Sequence, residues 1–267
     1  MKRSCDVVTG AFGFIGSFLA SKLSESKPIL LTTKVRKNES GLPYNMAEGL
    51  DSLNNLDVDV NNIFHLAHDF TNKTINGENI NIKAIKDLIV FCKKNDSKLI
   101  YISSFMAIPA TSAYGRIKLD CEELVKSYNK SIIIRPPVVI DSEGGIFFKL
   151  NNIFKYLPFF LIPGNGNYTM YYVEVENLVD FIIKCREIDS NEILYCYDKG
   201  PIVFKDLLKI NKKLVIKVPI VLLRIILFLP RLIGLKIKNL NNEGLTTLLT
   251  MPRICLLYTS PSPRDRG

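Results

Sequence analysis

Tryptophan is absent from this chain of 267 residues, and histidine occurs only twice, at His65 and His68. Two histidines without a nearby cluster of carboxylates or thiols are poor metal ligands, so we expect no metal site. The six cysteines are widely spaced and include no Cys-x-x-Cys pair, and no secretory signal precedes the first strand-like run. These features predict a reduced, cytoplasmic protein.

The composition also lacks the signs of disorder and of nucleic-acid binding. Hydrophobic residues make up 47% of the chain, which is enough for a packed core. The formal net charge of +9 favours anionic ligands, and a dinucleotide with a nucleotide-diphosphate substrate would account for it. Because the basic residues are scattered rather than interleaved with aromatic residues, we expect no binding to nucleic acid.

The end of the chain looks unlike the rest of it. The residues from Cys255 to Asp265 resemble a translated sequencing adapter. We therefore exclude residues 255–267 from the fold prediction and expect a different natural continuation after Ile254. A natural tail rich in proline and serine is the alternative.

The most informative stretch is Thr-Gly-Ala-Phe-Gly-Phe-Ile-Gly at positions 9–16, between the apolar run Cys5–Val8 and a helical pattern. Gly10 allows a tight turn, Gly13 lets the backbone approach a pyrophosphate, and Gly16 lets the helix pack close to the strand. The phosphates would then meet the free N–H groups of the helix N-terminus. This pattern predicts a dinucleotide site, with an ordinary glycine-rich turn as the alternative.

Further apolar runs typical of buried strands recur along the chain, with helical spacing between several of them. They lie at Pro28–Thr33, Ile63–His68, Lys98–Ser104, Ser131–Arg135 and Ile193–Tyr197. Residues 38–62 are polar and contain no convincing third strand. Alternating strands and helices predict an α/β fold with a parallel sheet.

Tyr114 and Lys118 lie four residues apart at the start of a predicted helix, which places both side chains on one face. An ammonium group near a phenol favours the phenolate and helps it to exchange a proton. A Tyr-x-x-x-Lys spacing on its own also arises by chance.

The spacing Gly-x-x-Gly-x-x-Gly, together with Tyr114 and Lys118, resembles the extended short-chain dehydrogenase/reductases, the NAD-dependent epimerase/dehydratase family. The likeness runs from about Asp6 to Leu249. It implies a Rossmann-type doubly wound parallel sheet with a small substrate lobe truncated at its C-terminus. The implied NAD(P)-binding domain comprises residues 1–140 and 171–199, the lobe residues 141–170 and 200–254, and the non-native tail residues 255–267.

The same resemblance implies roles for individual residues. Ser104 matches the catalytic serine, with Ser103 as second choice, while Tyr114 would transfer the proton and Lys118 would hold the nicotinamide ribose. The cofactor-binding residues would be Gly10, Gly13, Phe14, Ile15, Gly16, Arg36, Lys37, Leu66, Ala67, Asn79, Tyr114, Lys118 and Pro137. Asn81 is the alternative to Asn79, and His65 is expected to be structural.

The cofactor would be NADP or NAD, and the residues after the second strand bear on the choice. A carboxylate there would bind the ribose hydroxyls of NAD, whereas Arg36 and Lys37 offer cations to the 2′-phosphate of NADP. A solvated basic loop is an equally good interpretation of these residues.

The resemblance implies a nucleotide-diphospho-sugar substrate and hydride exchange at a sugar carbon, by a 4-keto-sugar reductase or a 4-epimerase of polysaccharide biosynthesis. A non-catalytic NAD(P)-binding sensor on the same fold is the alternative. The loop between Ser104 and Tyr114 is shorter than is usual in the family. The apolar segment 212–238, which carries basic residues, favours a helix over the substrate lobe, with peripheral membrane contact as the alternative. A homodimer is left open.

Overall fold

The computed structural model describes residues 3–33, 41–50, 53, 57–108, 112–141, 144, 159–163, 169–203, 214–219 and 222. In chain order its strands are β1 (Arg3–Thr9), β2 (Ile29–Thr32), β3 (Leu42–Pro43), β4 (Val58–His65), β5 (Thr74–Ile75), β6 (Glu78–Asn79), β7 (Lys98–Ile102), β8 (Ser131–Arg135), β9 (Val138–Ile140), β10 (Phe159–Pro163), β11 (Thr169–Glu174), β12 (Ile193–Tyr195), β13 (Lys199–Val203) and β14 (Leu214–Val218). The α-helices are α1 (Phe14–Lys22), α2 (Ile80–Asn95), α3 (Ala113–Lys126) and α4 (Val175–Lys184).

Seven strands form the central sheet in the order β12-β8-β7-β4-β1-β2-β3, and every neighbouring pair is parallel. The order changes direction at β1, because β2 and β4 lie on opposite sides of it. Such a switch point leaves a crevice at the carboxyl ends of the strands. The predicted Rossmann-type doubly wound sheet is therefore confirmed.

Helices cover both faces of this sheet, so its strands alternate between two cores. Leu99 and the other side chains on its face of the sheet pack with side chains of α2 and α3. Ile100 and the side chains on the opposite face pack with side chains of α1 and α4. Strand β8 is buried along its whole length because its two faces are both covered. The two cores hold the carboxyl ends of β1, β4, β7 and β8 in fixed register.

Local signals explain where the helices begin. Asn79 caps α2 by accepting a hydrogen bond from the Asn81 N–H at 2.9 Å, and Ser112 caps α3 by accepting one from the Gly115 N–H at 3.0 Å. Helix α1 differs, because Gly13 at its N-cap offers no side-chain hydrogen bond. The first N–H groups of α1 are left for another partner.

The structure corrects the expectation for residues 38–62. A third strand is present, but β3 has only two residues and pairs with β2 through Leu31 opposite Leu42. Two residues are too few to carry a readable hydrophobic period, which is why the pattern did not show it.

The predicted domain boundaries stay a prediction. A three-stranded sheet in the order β13-β11-β9 has residues on both sides of the predicted boundaries, and β10 pairs with β14 outside the central sheet. Most of the segment 212–238 lies outside the described residues. Among the described residues, no helix has the length and apolar character needed to cross a membrane.

Candidate functional site: a cleft at the carboxyl edge of the sheet

A cleft of about 660 Å³ lies at the carboxyl edge of the central sheet. It brings together most of the residues predicted from sequence: Gly10, Gly13, Phe14, Ile15, Gly16, Leu66, Ala67, Ser104, Tyr114, Lys118 and Pro137. Arg36 and Lys37 lie outside the described residues, and Asn79 does not line the cleft. Residues from distant parts of the sequence therefore line one cleft.

The glycine turn is packed so closely that side chains would not fit. Gly10 has a φ of +67°, and a Cβ there would lie 2.8 Å from the Ala67 nitrogen. A Cβ on Gly16 would lie 2.1 Å from the Gly10 oxygen, which also accepts a hydrogen bond from the Gly13 N–H at 2.9 Å. The turn therefore needs glycine at Gly10 and Gly16 for steric reasons.

This packing directs the uncapped N-terminus of α1 into the cleft. Gly13, Phe14, Ile15 and Gly16 form its first turn and all line the cleft wall. Free N–H groups and the positive end of the helix dipole together make a site for an anion such as a pyrophosphate.

The turn after β4 forms the next part of the wall, and Thr9 holds it in place. The Thr9 hydroxyl accepts a hydrogen bond from the Ala67 N–H at 3.2 Å and lies 2.7 Å from His65 Nδ1. His65 is buried, and burial with the nearby Lys118 charge lowers its pKa to about 3, so the ring stays neutral. These contacts agree with the structural role expected for His65.

Ser104, Tyr114 and Lys118 meet where β7 ends and α3 begins. The Ser104 side chain lies near enough to Tyr114 to lower the pKa of its phenol, and Ser104 Oγ accepts a hydrogen bond from the Met106 N–H at 3.2 Å. The buried Lys118 ammonium donates to the Ile102 carbonyl at 2.8 Å and lies 6.0 Å from the centre of the Tyr114 ring. The three side chains are thus placed to act on one ligand.

The pKa of the Tyr114 phenol differs from the expectation that Lys118 would favour the phenolate. Its pKa is raised to about 12, because the effect of burial outweighs the opposing effect of the Ser104 side chain. The Lys118 ammonium is directed towards a backbone carbonyl and the Tyr101 ring, 4.8 Å from the ring centre, rather than towards the phenol oxygen. Tyr114 is therefore a protonated phenol near neutral pH, suited to donate a proton.

Lys118 itself titrates nearer to neutrality than an ordinary lysine. Burial lowers its pKa to about 8, although the charges of Cys121 and Glu122 act in the opposite direction. Its positive charge is therefore retained at neutral pH and lost in mildly alkaline solution.

The asparagine predicted to face the cofactor has a different contact in this structure. Asn79 caps α2, while the buried Asn81 holds the loop after β4 from behind. The Asn81 side chain accepts from the Asp69 N–H at 2.8 Å and donates to the Asp69 carbonyl at 3.0 Å. Neither asparagine lines the cleft, and Asn81 is the one connected to its wall.

The loop held by Asn81 adds an aromatic group that the sequence analysis did not assign. The ring of Phe70 stacks on Tyr114 with centroids 5.8 Å apart, and the His68 ring lies edge-on to both. Phe70 is 66% exposed although it lines the cleft. Burial, with the Lys118 charge as a lesser cause, lowers the pKa of His68 to about 2, so this group is uncharged.

Other lining residues were also missed: Phe12, Thr32, Thr33, Tyr44, Met46, Ile102, Pro136 and Val139. A signal existed for Thr32, Thr33 and Ile102, which lie at the ends of strands that were predicted. None existed for Tyr44 and Met46, because they lie in a stretch without a readable period.

Comparison with known proteins finds structural likeness without likeness of sequence. No protein-family model matches the chain, and no curated protein matches it. Among solved structures, UDP-N-acetylglucosamine 4-epimerase from Bacillus cereus matches with a TM-score of 0.65 at 17% identity, over 81% of this chain and 85% of the epimerase.

Two further structures illustrate the range of chemistry on this fold. MoeE5 in complex with UDP-glucuronic acid and NAD matches with a TM-score of 0.61 at 17% identity, over 80% of this chain and 85% of that one. L-threonine dehydrogenase from Clostridium difficile matches with a TM-score of 0.64 at 19% identity, over 82% and 85%. At these identities the likeness establishes the fold, and substrate choice has to be argued from the site.

Proposed function

We propose that this protein is an NAD(P)-dependent enzyme that exchanges a hydride with a carbon of a nucleotide-diphospho-sugar, as a 4-keto-sugar reductase or a 4-epimerase. One observation carries the proposal: the uncapped N-terminus of α1 and the Ser104, Tyr114 and Lys118 side chains line the same cleft. A phosphate site next to a proton donor suits a bound dinucleotide with a carbonyl or alcohol substrate beside it.

The glycine turn and the first turn of α1 would hold the pyrophosphate through their N–H groups. Lys118 would hold the nicotinamide ribose, and the bound nicotinamide would supply or accept the hydride. At the carboxyl end of β2, Thr32 and Thr33 line the cleft, and the sequence continues with basic residues that include Arg36 and Lys37. This order of residues supports NADP over NAD.

On the substrate side, the roles follow from the state of each group. Tyr114 is protonated and would pass its proton to the oxygen of a carbonyl that is being reduced. Ser104, which lines the cleft with Tyr114, would hold the same oxygen in place. Partial burial of these groups in the cleft wall strengthens their interactions with the reacting oxygen.

The nucleotide-sugar assignment draws support from the structural neighbours whose names include UDP sugars. Another structural neighbour is an L-threonine dehydrogenase, whose name includes no sugar, so the substrate has to be tested directly. The non-catalytic sensor remains the alternative outcome of that test.

Replacing Tyr114 with phenylalanine tests the proposal. The ring and its stacking on Phe70 are kept, so affinity for the dinucleotide should hold, while turnover of a nucleotide-sugar should fall by roughly a hundredfold to ten-thousandfold. Tyr128→Phe is a matched control, because that phenol binds the Ser97 and Cys92 carbonyls outside the cleft. Turnover per folded molecule should be unchanged in the control.

The assay uses a panel of nucleotide-sugars with and without a 4-keto group. Near-normal turnover by Tyr114→Phe would show that the catalytic assignment is wrong. Tight dinucleotide binding without turnover of any sugar in the panel would favour the sensor.

A further inference from the structure

Beneath the cleft lies a buried ion pair that the roles above do not use. Glu122 has no exposed surface, and its carboxylate accepts two hydrogen bonds from the Arg135 guanidinium, from Nε at 2.9 Å and from Nη2 at 2.5 Å. The Ser103 hydroxyl donates to the same carboxylate, and Arg135 Nη1 donates to the Tyr195 hydroxyl at 2.8 Å.

Each member of this cluster is adjacent to a part of the candidate site. Ser103 directly precedes Ser104 at the end of β7, and Arg135 directly precedes Pro136 and Pro137, which line the cleft after β8. Glu122 lies one turn after Lys118 on α3. One carboxylate therefore connects three segments that carry site residues and come from different parts of the chain.

Geometry gives the cluster a specific mechanical effect. A carboxylate that accepts from a guanidinium through two parallel N–H groups is held in both distance and orientation. Because the Ser103 hydroxyl binds the same group, the end of β7 cannot shift along α3 without breaking a charge-assisted hydrogen bond. Replacing any one partner would leave a buried polar or charged group unsatisfied.

We propose that Glu122 is a positioning residue, whose carboxylate holds Lys118 on α3 in register with Ser104 on β7 and with Pro136 and Pro137 after β8. The proposal rests on the function proposed above for the reaction itself. Glu122 does not line the cleft, so it acts through the segments that it ties together.

Electrostatics provides a second route by which Glu122 supports the site. Its negative charge raises the pKa of Lys118 against the larger, opposing effect of burial. The other titratable groups around Lys118 in the described residues are Cys121 and Tyr114 on α3, Tyr101 on β7, and His65 and His68 at the end of β4. Glu122 is the second of the two charges that raise the Lys118 pKa, after Cys121, so removing the Glu122 charge should lower that pKa.

The first test is Glu122→Gln, which keeps the shape of the side chain and removes its charge. We expect kcat to fall by roughly tenfold to a hundredfold with a smaller change in KM, since misplaced reacting groups lose rate more than binding. The alkaline limb of the pH–rate profile should move to lower pH. Glu123→Gln is the matched control, because that neighbouring carboxylate is exposed and pairs with Lys126 at 2.6 Å on the surface of the same helix.

A double variant separates positioning from general stability. Glu122→Gln alone leaves Arg135 buried without its partner, so its melting temperature should fall; adding Arg135→Met removes the unpaired charge and should restore much of that loss. If Glu122 positions the site, kcat stays low in the double variant although the protein is stable again. Recovery of kcat together with the melting temperature would overturn the proposal.

A ligand-free measurement keeps this test independent of the proposed reaction. The ¹⁵N chemical shift of Lys118 Nζ, assigned by its loss in Lys118→Met, reports the lysine titration without cofactor or sugar. We expect the midpoint to move to lower pH in Glu122→Gln and to stay unchanged in Glu123→Gln. An unchanged midpoint in Glu122→Gln would overturn the electrostatic part, whereas failure of the native protein to turn over any sugar would sink only the proposed reaction.

Discussion

Replacing Gly16 with alanine tests how the glycine turn presents the helix N-terminus. The added Cβ would lie 2.1 Å from the Gly10 oxygen, 2.9 Å from the Gly10 carbonyl carbon and 3.0 Å from the Ala11 Cα. All three are backbone atoms, so no side chain can rotate away. The Gly10 oxygen would have to retreat by about 1.3 Å before the contact became ordinary.

That movement should have a measurable cost in stability. Overpacking of this kind costs about 1 to 3 kcal/mol, which in a domain of this size lowers the melting temperature by about 3 to 10 °C. The retreating carbonyl would also weaken its hydrogen bond from the Gly13 N–H, now 2.9 Å long, and displace the first N–H groups of α1. If about 1.4 kcal/mol of that cost falls on the phosphate site, dinucleotide affinity drops about tenfold.

Two measurements check the prediction: thermal melting followed by circular dichroism, and titration with a reduced dinucleotide followed by its own fluorescence. The absence of tryptophan keeps the background of the second measurement low. Gly200→Ala is the matched control, since a Cβ there meets nothing within 4 Å. Unchanged dinucleotide affinity and an unchanged melting temperature in Gly16→Ala would refute the steric argument for the turn.

Three further predictions concern charge and chain ends. Because burial lowers the pKa of Lys118 to about 8, its ammonium is lost as pH rises through that value, and dinucleotide affinity measured from pH 6 to 10 should fall above about 8; a flat profile would contradict its role as ribose ligand. If Arg36 and Lys37 bind a 2′-phosphate, NADP should bind at least about tenfold more tightly than NAD, and replacing both with alanine should abolish most of that preference in calorimetric titrations; equal affinities in the native protein would contradict this role and favour the 4-epimerase over the reductase. Ending the chain after Ile254 should leave the melting temperature unchanged if residues 255–267 are an adapter scar, and a clear loss of stability would show that the tail packs on the domain.

Agreement between sequence and structure is strongest where a short stretch dictates its own geometry. The turn that begins at Gly10 needs conformations and close contacts that only glycine allows, so it could be read from spacing alone. Tyr114 and Lys118 share a helix, and their separation fixes their common face whatever the helix packs against.

Agreement is weakest where a role depends on partners distant in the chain. Asn79 fitted the expected spacing, yet its side chain caps α2, and the neighbouring Asn81 holds the wall loop instead. Asn79 and Asn81 are only two positions apart in the sequence, and their roles differ because of how α2 packs against that loop. The pKa of Tyr114 is a similar case, since burial could not be foreseen from a nearby lysine in the sequence.

By itself, the sequence determined the class of fold, the glycine turn and the common face of Tyr114 and Lys118, because strand periods, glycine spacing and helical spacing are local properties of the chain. Only the tertiary structure decided that Phe70 stacks on Tyr114 and that Glu122 binds Arg135 beneath the site. A carboxylate on a predicted helix is normally a solvated side chain, and nothing local distinguishes Glu122 from Glu123. The difference arises when β7 and β8 pack against α3, which removes one carboxylate from water and supplies it with a guanidinium.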